Sequence, residues 1–163
     1  MAKYNISLDD LTPNNLQVLR RINSVVLPLP YSDAWYKESL TVGPLVKLAF
    51  FNEIPVGAIR CSLVVPQKHN VGESKIYIMT LAVLAPYRRY GIGKQLVDYI
   101  INDVVKLEEM AFVKEVYCHV WVENTDALEW YVKTAGFEKG EVVPGYYKKM
   151  DPPGDAVVLR KRV

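Results

Sequence analysis

LAPYRRYGIGKQLVDYII, residues 84–101, sets two arginines and two glycines between a strand-like run and an apolar run with helical spacing. The order Arg88-x-x-Gly91-x-Gly93 opens that helix. The first turn of a helix carries unpaired N–H groups and a partial positive charge, a combination that attracts phosphate. Glycine at 91 and 93 lets a pyrophosphate approach the backbone with no Cβ in its way. Arg88, Arg89 and Lys94 add charge around it. The spacing matches neither a dinucleotide fingerprint nor the phosphate loop of nucleotide hydrolases. A plain strand-to-helix turn would use the same two glycines, so the loop by itself leaves both readings open.

Working outward, KIYIMTLAVL (residues 75–84) is the strongest strand candidate, and residues 45–51 and 56–65 read as a hairpin around the turn at 52–55. Thr12-Pro13 resembles an N-cap and first-turn proline for a helix carrying Leu16, Leu19 and Ile22. LPLPYSDAWY (residues 27–36) holds too much proline for a helix and too much aromatic surface for a solvated linker. Residues 66–74 form a polar loop. Downstream, Leu96, Val97, Ile100, Ile101, Val104 and Val105 predict an amphipathic helix to about Met110. EVYCHVWV (residues 115–122) is the next strand. Asn124 or Asp126 caps a short helix through Ala135, which Gly136 stops. Strand-like pieces at 137–143 and 146–150 follow, then a short tail at about 151–163 that either packs or stays mobile. The order predicts one α/β domain over residues 1–163, with antiparallel edges and one right-handed parallel crossover in the middle.

Composition limits the function classes. The 163 residues suffice for one sizeable core, and a formal net charge of +2 makes no electrostatic case for nucleic acid or membrane. No run is long and apolar enough to span a bilayer, and Met1 opens into a polar stretch unlike a signal peptide. Cys61 and Cys118 build neither a disulfide framework nor a metal spacing, so no metal site is expected and the chain reads as intracellular.

Strand alternation puts Tyr77, Met79 and Leu81 on one face of their strand, and Tyr117, His119 and Trp121 on one face of theirs. If the strands are neighbours across the crossover, Tyr77 and His119 meet. A histidine titrates near 6.5 and suits a general base at neutral pH; a tyrosine, near 10, suits orienting or donating. Cys118 alternates away from His119, which argues against an acyl-enzyme. Each residue has a packing alternative: a strand tyrosine and a strand histidine often serve only the core. His69 sits in the polar loop and receives no role.

The segment Arg88-x-x-Gly91-x-Gly93 resembles the acetyl-CoA pyrophosphate loop of the GNAT superfamily of N-acetyltransferases. NTDALEWYVKTAGF (residues 124–137) resembles that superfamily's second cofactor segment. YIMTLAVLAPYRRYGIG, VLPLPYSDAWY, VYCHVWVENTDALEWY and YYKKMDPPGDAVVL together resemble the NatE-type (San) N-terminal acetyltransferases, over nearly the whole chain. The resemblance implies a GNAT fold, with a mixed central sheet, antiparallel N-terminal strands, a splayed parallel pair and flanking helices. It implies acetyl-CoA as cofactor, held by Leu81, Val83, Arg88, Arg89, Tyr90, Gly91, Ile92, Gly93, Lys94, Asn124 and Tyr131, with the Leu81 backbone N–H supporting the oxyanion. It matches Tyr77 and His119 to a catalytic pair working through water. The substrate would be a peptide N-terminus beginning with Met and then an apolar or small residue, met by Leu27, Pro28, Leu29, Tyr31, Met79, Tyr146, Tyr147 and Met150.

Three departures stand out. Leu27 replaces the common phenylalanine, Met150 replaces an expected isoleucine, and LEEMAFVKEV is a few residues longer than expected. The resemblance further implies association with the auxiliary and catalytic subunits of the NatA complex near the ribosome, in the cytoplasm and also the nucleus. An acetyltransferase for lysine or a small amine, and a non-catalytic docking subunit, are the alternatives. An α-amine titrates near 7.7–8.0 against about 10.4 for lysine, which favours the N-terminal reading for a base of histidine strength.

Overall fold

The computed structural model describes residues 3–66 and 73–163. His69 and most of the predicted polar loop lie outside the described residues. Among the described residues, seven strands take the order β1-β2-β3-β4-β5-β7-β6, mixed in direction. They are β1 Ile6–Asp9, β2 Val46–Phe51, β3 Ile54–Val64, β4 Ser74–Val83, β5 Val113–Trp121, β6 Glu138–Tyr147 and β7 Gly154–Arg162. The helices are α1 Leu16–Val26, α2 Asp33–Ser39, α3 Ile92–Asp98 and α4 Thr125–Glu129. The chain divides into two compact units, one up to Ser62 with Ile78–Lys106, the other Leu63–Tyr77 with Leu107–Val163.

In the first unit, the predicted hairpin is β2 and β3, antiparallel, with Phe51 opposite Ile54. β1 extends it on the other side of β2; its alternation of Ile6 and Leu8 with Ser7 and Asp9 runs for only four residues, too short to mark a strand in the sequence. Leu19, Tyr36, Val46, Leu48 and Ala58 form a buried cluster that draws α1 and α2 onto the strands. α2 begins inside the proline-rich segment that reads as too rich in proline for a helix. Both prolines of that segment lie before Ser32, whose hydroxyl accepts from the Trp35 N–H at 3.2 Å and starts the helix. Arg60, 1% exposed, ties α2 to β3: it donates to Trp35 O, Ser39 Oγ and Glu38 Oε1, and its guanidinium lies 4.6 Å from the Trp35 ring. The helix after the glycines buries Ile92, Leu96, Val97, Ile100 and Val104, the expected stripe. It widens at Tyr99–Asp103, tightens at Val104–Lys106, and does not run on to Met110, because Leu107 is extended and Glu108–Met110 is a separate turn.

In the second unit, the first residues of β4 pair in parallel with β5, with Tyr77 beside Tyr117. The tail, expected either to pack or to stay mobile, packs, and it does so as a full strand rather than as a tail. Residues Gly154–Arg162 form β7, inserted between β5 and β6 and antiparallel to both. Ala156, Val157, Val158 and Leu159 are buried there, so the apolar run AVVL belongs to the sheet interior. The two strand pieces at 137–150 are one irregular strand, β6, with register shifts at Lys139/Val142 and Val143/Tyr147. Asn124 caps α4 by accepting from the Ala127 N–H, and Gly136 (φ +76) ends the helical run.

Candidate active site

β4 alternates strictly between buried and half-buried residues, and Tyr77 lies on the half-buried face. On β5, Cys118 and Val120 turn into the core while Tyr117, His119 and Trp121 face the other way. Because Tyr77 and Tyr117 are register partners, His119 lies one step further along the same face. The Tyr77 hydroxyl is 3.0 Å from His119 Nδ1. It is also 2.9 Å from the Tyr146 hydroxyl, and the Tyr146 ring stacks on the imidazole at 4.1 Å with 13° between planes. Gly145, at φ +64, turns the chain just before Tyr146, and its N–H donates to Asp155 of β7 at 2.8 Å. Three strands thus bring one imidazole and two phenols together. The sequence brings Tyr77 and His119 to one face by alternation. Tyr146 as their hydroxyl partner, and Asp155 as the anchor of its turn, depend on β7 and escaped that reading.

Burial, together with the hydrogen bond shared with Tyr146, holds the Tyr77 phenol well above the usual tyrosine range. Tyr77 therefore stays protonated at neutral pH and does not act as a phenolate. His119 lies below its ordinary value because burial disfavours the imidazolium; Glu141 opposes that shift and Arg160 adds to it. The imidazole is accordingly neutral at pH 7, with a lone pair to offer. Burial pushes the Cys118 thiol up to about 12, which leaves it inert as a nucleophile.

In the first unit, the glycine loop is exposed from Arg88 to Gly91. Arg88 Nε donates to Val83 O at 3.0 Å, which fixes the stem of that side chain at the end of β4. Arg89 (φ +74) and Gly91 (φ +79) both take the left-handed conformation, and Gly91 precedes α3 with no side-chain cap on the helix N–H groups. A Cβ at Gly91 would touch nothing within 4 Å, so the backbone angle rather than space demands glycine there. Gly57 of β3 does act through space: a Cβ would lie 3.1 Å from Ala82 O and 3.3 Å from Ile92 Cγ2.

A family model described as "Acetyltransferase (GNAT) family" matches residues 15–137. The chain belongs to the acetyltransferase (GNAT) family. It is 42% identical over 159 residues to N-alpha-acetyltransferase 50 of Danio rerio, covering 98% of this chain and 89% of that one. It is 38% identical over 161 residues to the probable N-acetyltransferase san of Drosophila melanogaster, covering 99% and 83%. Among solved structures it resembles Arabidopsis thaliana Naa50 in complex with the bisubstrate analogue CoA-Ac-MVNAL, with a TM-score of 0.80, 39% identity, and 96% and 97% of the two chains covered.

For this GNAT chain, the loop geometry fits a pyrophosphate. The helix N–H groups carry no side-chain cap, Gly91 carries no Cβ, and among the described residues the Arg88 guanidinium is held through Nε. Lys94 is paired with Asp98 at 2.7 Å, so its charge is shared along the helix. The Ile92 side chain is in the core, and only its backbone is left for a ligand. Tyr90, 41% exposed, packs edge-on against Tyr4 and Phe51. Val83 presents its carbonyl to Arg88. Asn124 is occupied as a helix cap, and Tyr131 is buried against Trp130 and Phe137, with a bond to the Cys118 thiol.

The residues expected to meet substrate divide between the units. Leu27 ends α1, with its N–H donating to Asn23 O at 2.8 Å; Pro28 is exposed and Leu29 half-buried. Tyr31 tilts onto Trp35 at 4.4 Å and packs on the unit's core. Met79 and Leu81 are half-buried on the Tyr77 side of β4. In the other unit, Tyr147 lies edge-on to Tyr146 at 5.0 Å, and the Met150 sulfur lies so close to Gly154 that a Cβ there would be 2.7 Å from it.

Proposed function

We propose that the chain is a protein N-terminal acetyltransferase in which His119 is the general base, acting with the Tyr77 hydroxyl. Family membership makes it an acyltransferase that uses acetyl-CoA. The observation that carries the mechanism is the bridging position of the Tyr77 hydroxyl, 3.0 Å from His119 Nδ1 and 2.9 Å from Tyr146.

Acetyl-CoA supplies an activated acetyl group to the amine. Arg88, the backbone of residues 89–94 and the exposed face of Tyr90 would hold its phosphates, with Leu81 N–H directed to the carbonyl oxygen. The chain's own work is to take a proton from the attacking amine. A phenol donates once, so two arrangements serve. With the proton on Nδ1 pointing to Tyr77, the Nε2 lone pair accepts directly or through one water. With Tyr77 donating to Nδ1, the phenol passes its proton to the imidazole while receiving one from the substrate side. In both, Tyr77 begins and ends as a neutral phenol, consistent with its raised pKa.

The substrate class we assign is a peptide starting with Met followed by an apolar or small residue, in keeping with the Met-initiated analogue bound to the Arabidopsis thaliana relative. On the NatE-type resemblance, Leu27, Pro28, Leu29, Tyr31 and Met79 of the first unit, and Tyr147 and Met150 of the second, are assigned to substrate contact. Association with NatA subunits near the ribosome, and a cytoplasmic and nuclear location, rest on the NatE-type resemblance. The test is CoA release with acetyl-CoA and three peptides: one beginning Met-Leu, one beginning Ser-Leu, and one with a blocked N-terminus and an internal lysine. The reading predicts preferential turnover of Met-Leu. Turnover of the blocked peptide alone would replace it with a lysine acetyltransferase. Acetyl-CoA binding without turnover of any peptide would replace it with a docking subunit.

A further inference from the structure

His119 lines a cavity of about 570 Å³ together with Tyr117, Glu115, Lys75, Glu141 and Arg160. Its charges form a chain. Lys75 Nζ is 3.1 Å from Glu115 Oε2, Arg160 Nε is 3.8 Å from the same oxygen, and Arg160 grips the Glu141 carboxylate with both terminal nitrogens, one bond being 2.6 Å. Glu115 is 6% exposed, so these cations neutralise a carboxylate removed from water. In the β5–β7 register, Val158 lies opposite His119 and Arg160 opposite Tyr117, which makes Arg160 the diagonal neighbour of the imidazole on the same face. Glu141 comes from the irregular part of β6 that flanks β7 there.

We propose that Glu141 and Arg160 are positioning residues for His119, a fixed pair of opposite charges whose balance sets how readily the imidazole takes up the substrate's proton. Among the described residues, the charged or titratable groups that line this cavity or bond around His119 are Lys75 and Tyr77 from β4, Glu115 and Tyr117 from β5, Glu141 and Tyr146 from β6, Arg160 from β7, and Glu73, which is bound to Arg162. Tyr77 is held neutral. Lys75 and Glu115 largely cancel each other, and Glu73 is cancelled by Arg162. Among the described residues, Glu141 and Arg160 are the charges left to act on His119, and they act with opposite sign. Arg160 keeps the Glu141 carboxyl down at about 2, so the pair stays fully charged wherever the imidazole titrates.

The inference rests on His119 being the base, and its test separates the two claims. The His119 imidazole is titrated by NMR in the intact protein without substrate, its signal assigned by its loss in H119Q. Removing one charge at this range through partly hydrated protein moves a neighbour by about half a pH unit. E141Q should lower the His119 pKa by about that much, and R160Q should raise it. R160K should stay within about 0.2 unit of wild type, and E141Q/R160Q should return close to it. Shifts of the same sign in both single variants, or none in either, would overturn the proposal. Glu141 is a surface side chain, so E141Q and E141K decide the sign even if loss of Arg160 unfolds the protein. The acid limb of kcat is then measured for the same variants. If it ignores shifts that the NMR records, the base assignment fails while the charge pair stands.

Discussion

The glycine loop and the Tyr77–His119–Tyr146 cluster differ in how far the chain must travel to make them. Arg88, Arg89, Tyr90 and Gly91 are consecutive, and their geometry is set by two left-handed residues and one arginine-to-carbonyl bond five residues apart. The cluster joins residues 42 and 69 positions apart, and it exists only because β4, β5 and the end of β6 lie beside the right neighbours. A change in the loop should therefore act on cofactor affinity through local backbone energy. A change in the cluster should act on turnover through one proton.

The largest effect falls on the cluster. His119→Ala removes the proposed base and should lower kcat by roughly 10²–10⁴-fold in a CoA-release assay; a loss below tenfold would make the imidazole a packing residue. Next comes the loop. Gly91→Val forces a β-branched residue to φ +79, at a cost of about 1–3 kcal/mol, and should raise the acetyl-CoA Kd by roughly tenfold or more. Gly91→Asn should do much less, because asparagine tolerates that region and a side chain meets no obstacle there. Equal losses for Val and Asn would mean that space, not backbone angle, governs the position. Tyr146→Phe keeps the ring against His119 and removes one hydroxyl bond to Tyr77, worth about 0.5–1.5 kcal/mol, so kcat should fall about two- to tenfold. The smallest effect is on stability. The folded pKa of His119 lies below its unfolded value near 6.5. Its contribution is therefore intact above the unfolded value and lost as pH falls through the folded one. Wild type should lose slightly more Tm than H119Q between pH 7 and pH 5.

The same contrast explains what could be read from the chain. The loop, the alternation that pairs Tyr77 with His119, the Asn124 cap and the β2–β3 hairpin are short-range patterns, and each is where periodicity and spacing place it. Residues 151–163 were not legible as a strand. The proline-rich lead-in Asp151-Pro152-Pro153-Gly154 resembles an ending, and nothing local says that the run after it inserts between β5 and β6. Everything that depends on that insertion was equally hidden: the Asp155 anchor, the placing of Tyr146, and Arg160 facing Glu141. α2 was masked by the prolines before its cap, and β1 by its length.

The division of labour between loop and cluster is tested most directly by calorimetric titration of acetyl-CoA into His119→Ala. The account predicts an affinity within about twofold of wild type in a protein that has lost nearly all turnover, because the histidine handles a proton and the loop holds the phosphates. Acetyl-CoA binding weakened in step with the lost turnover would contradict it.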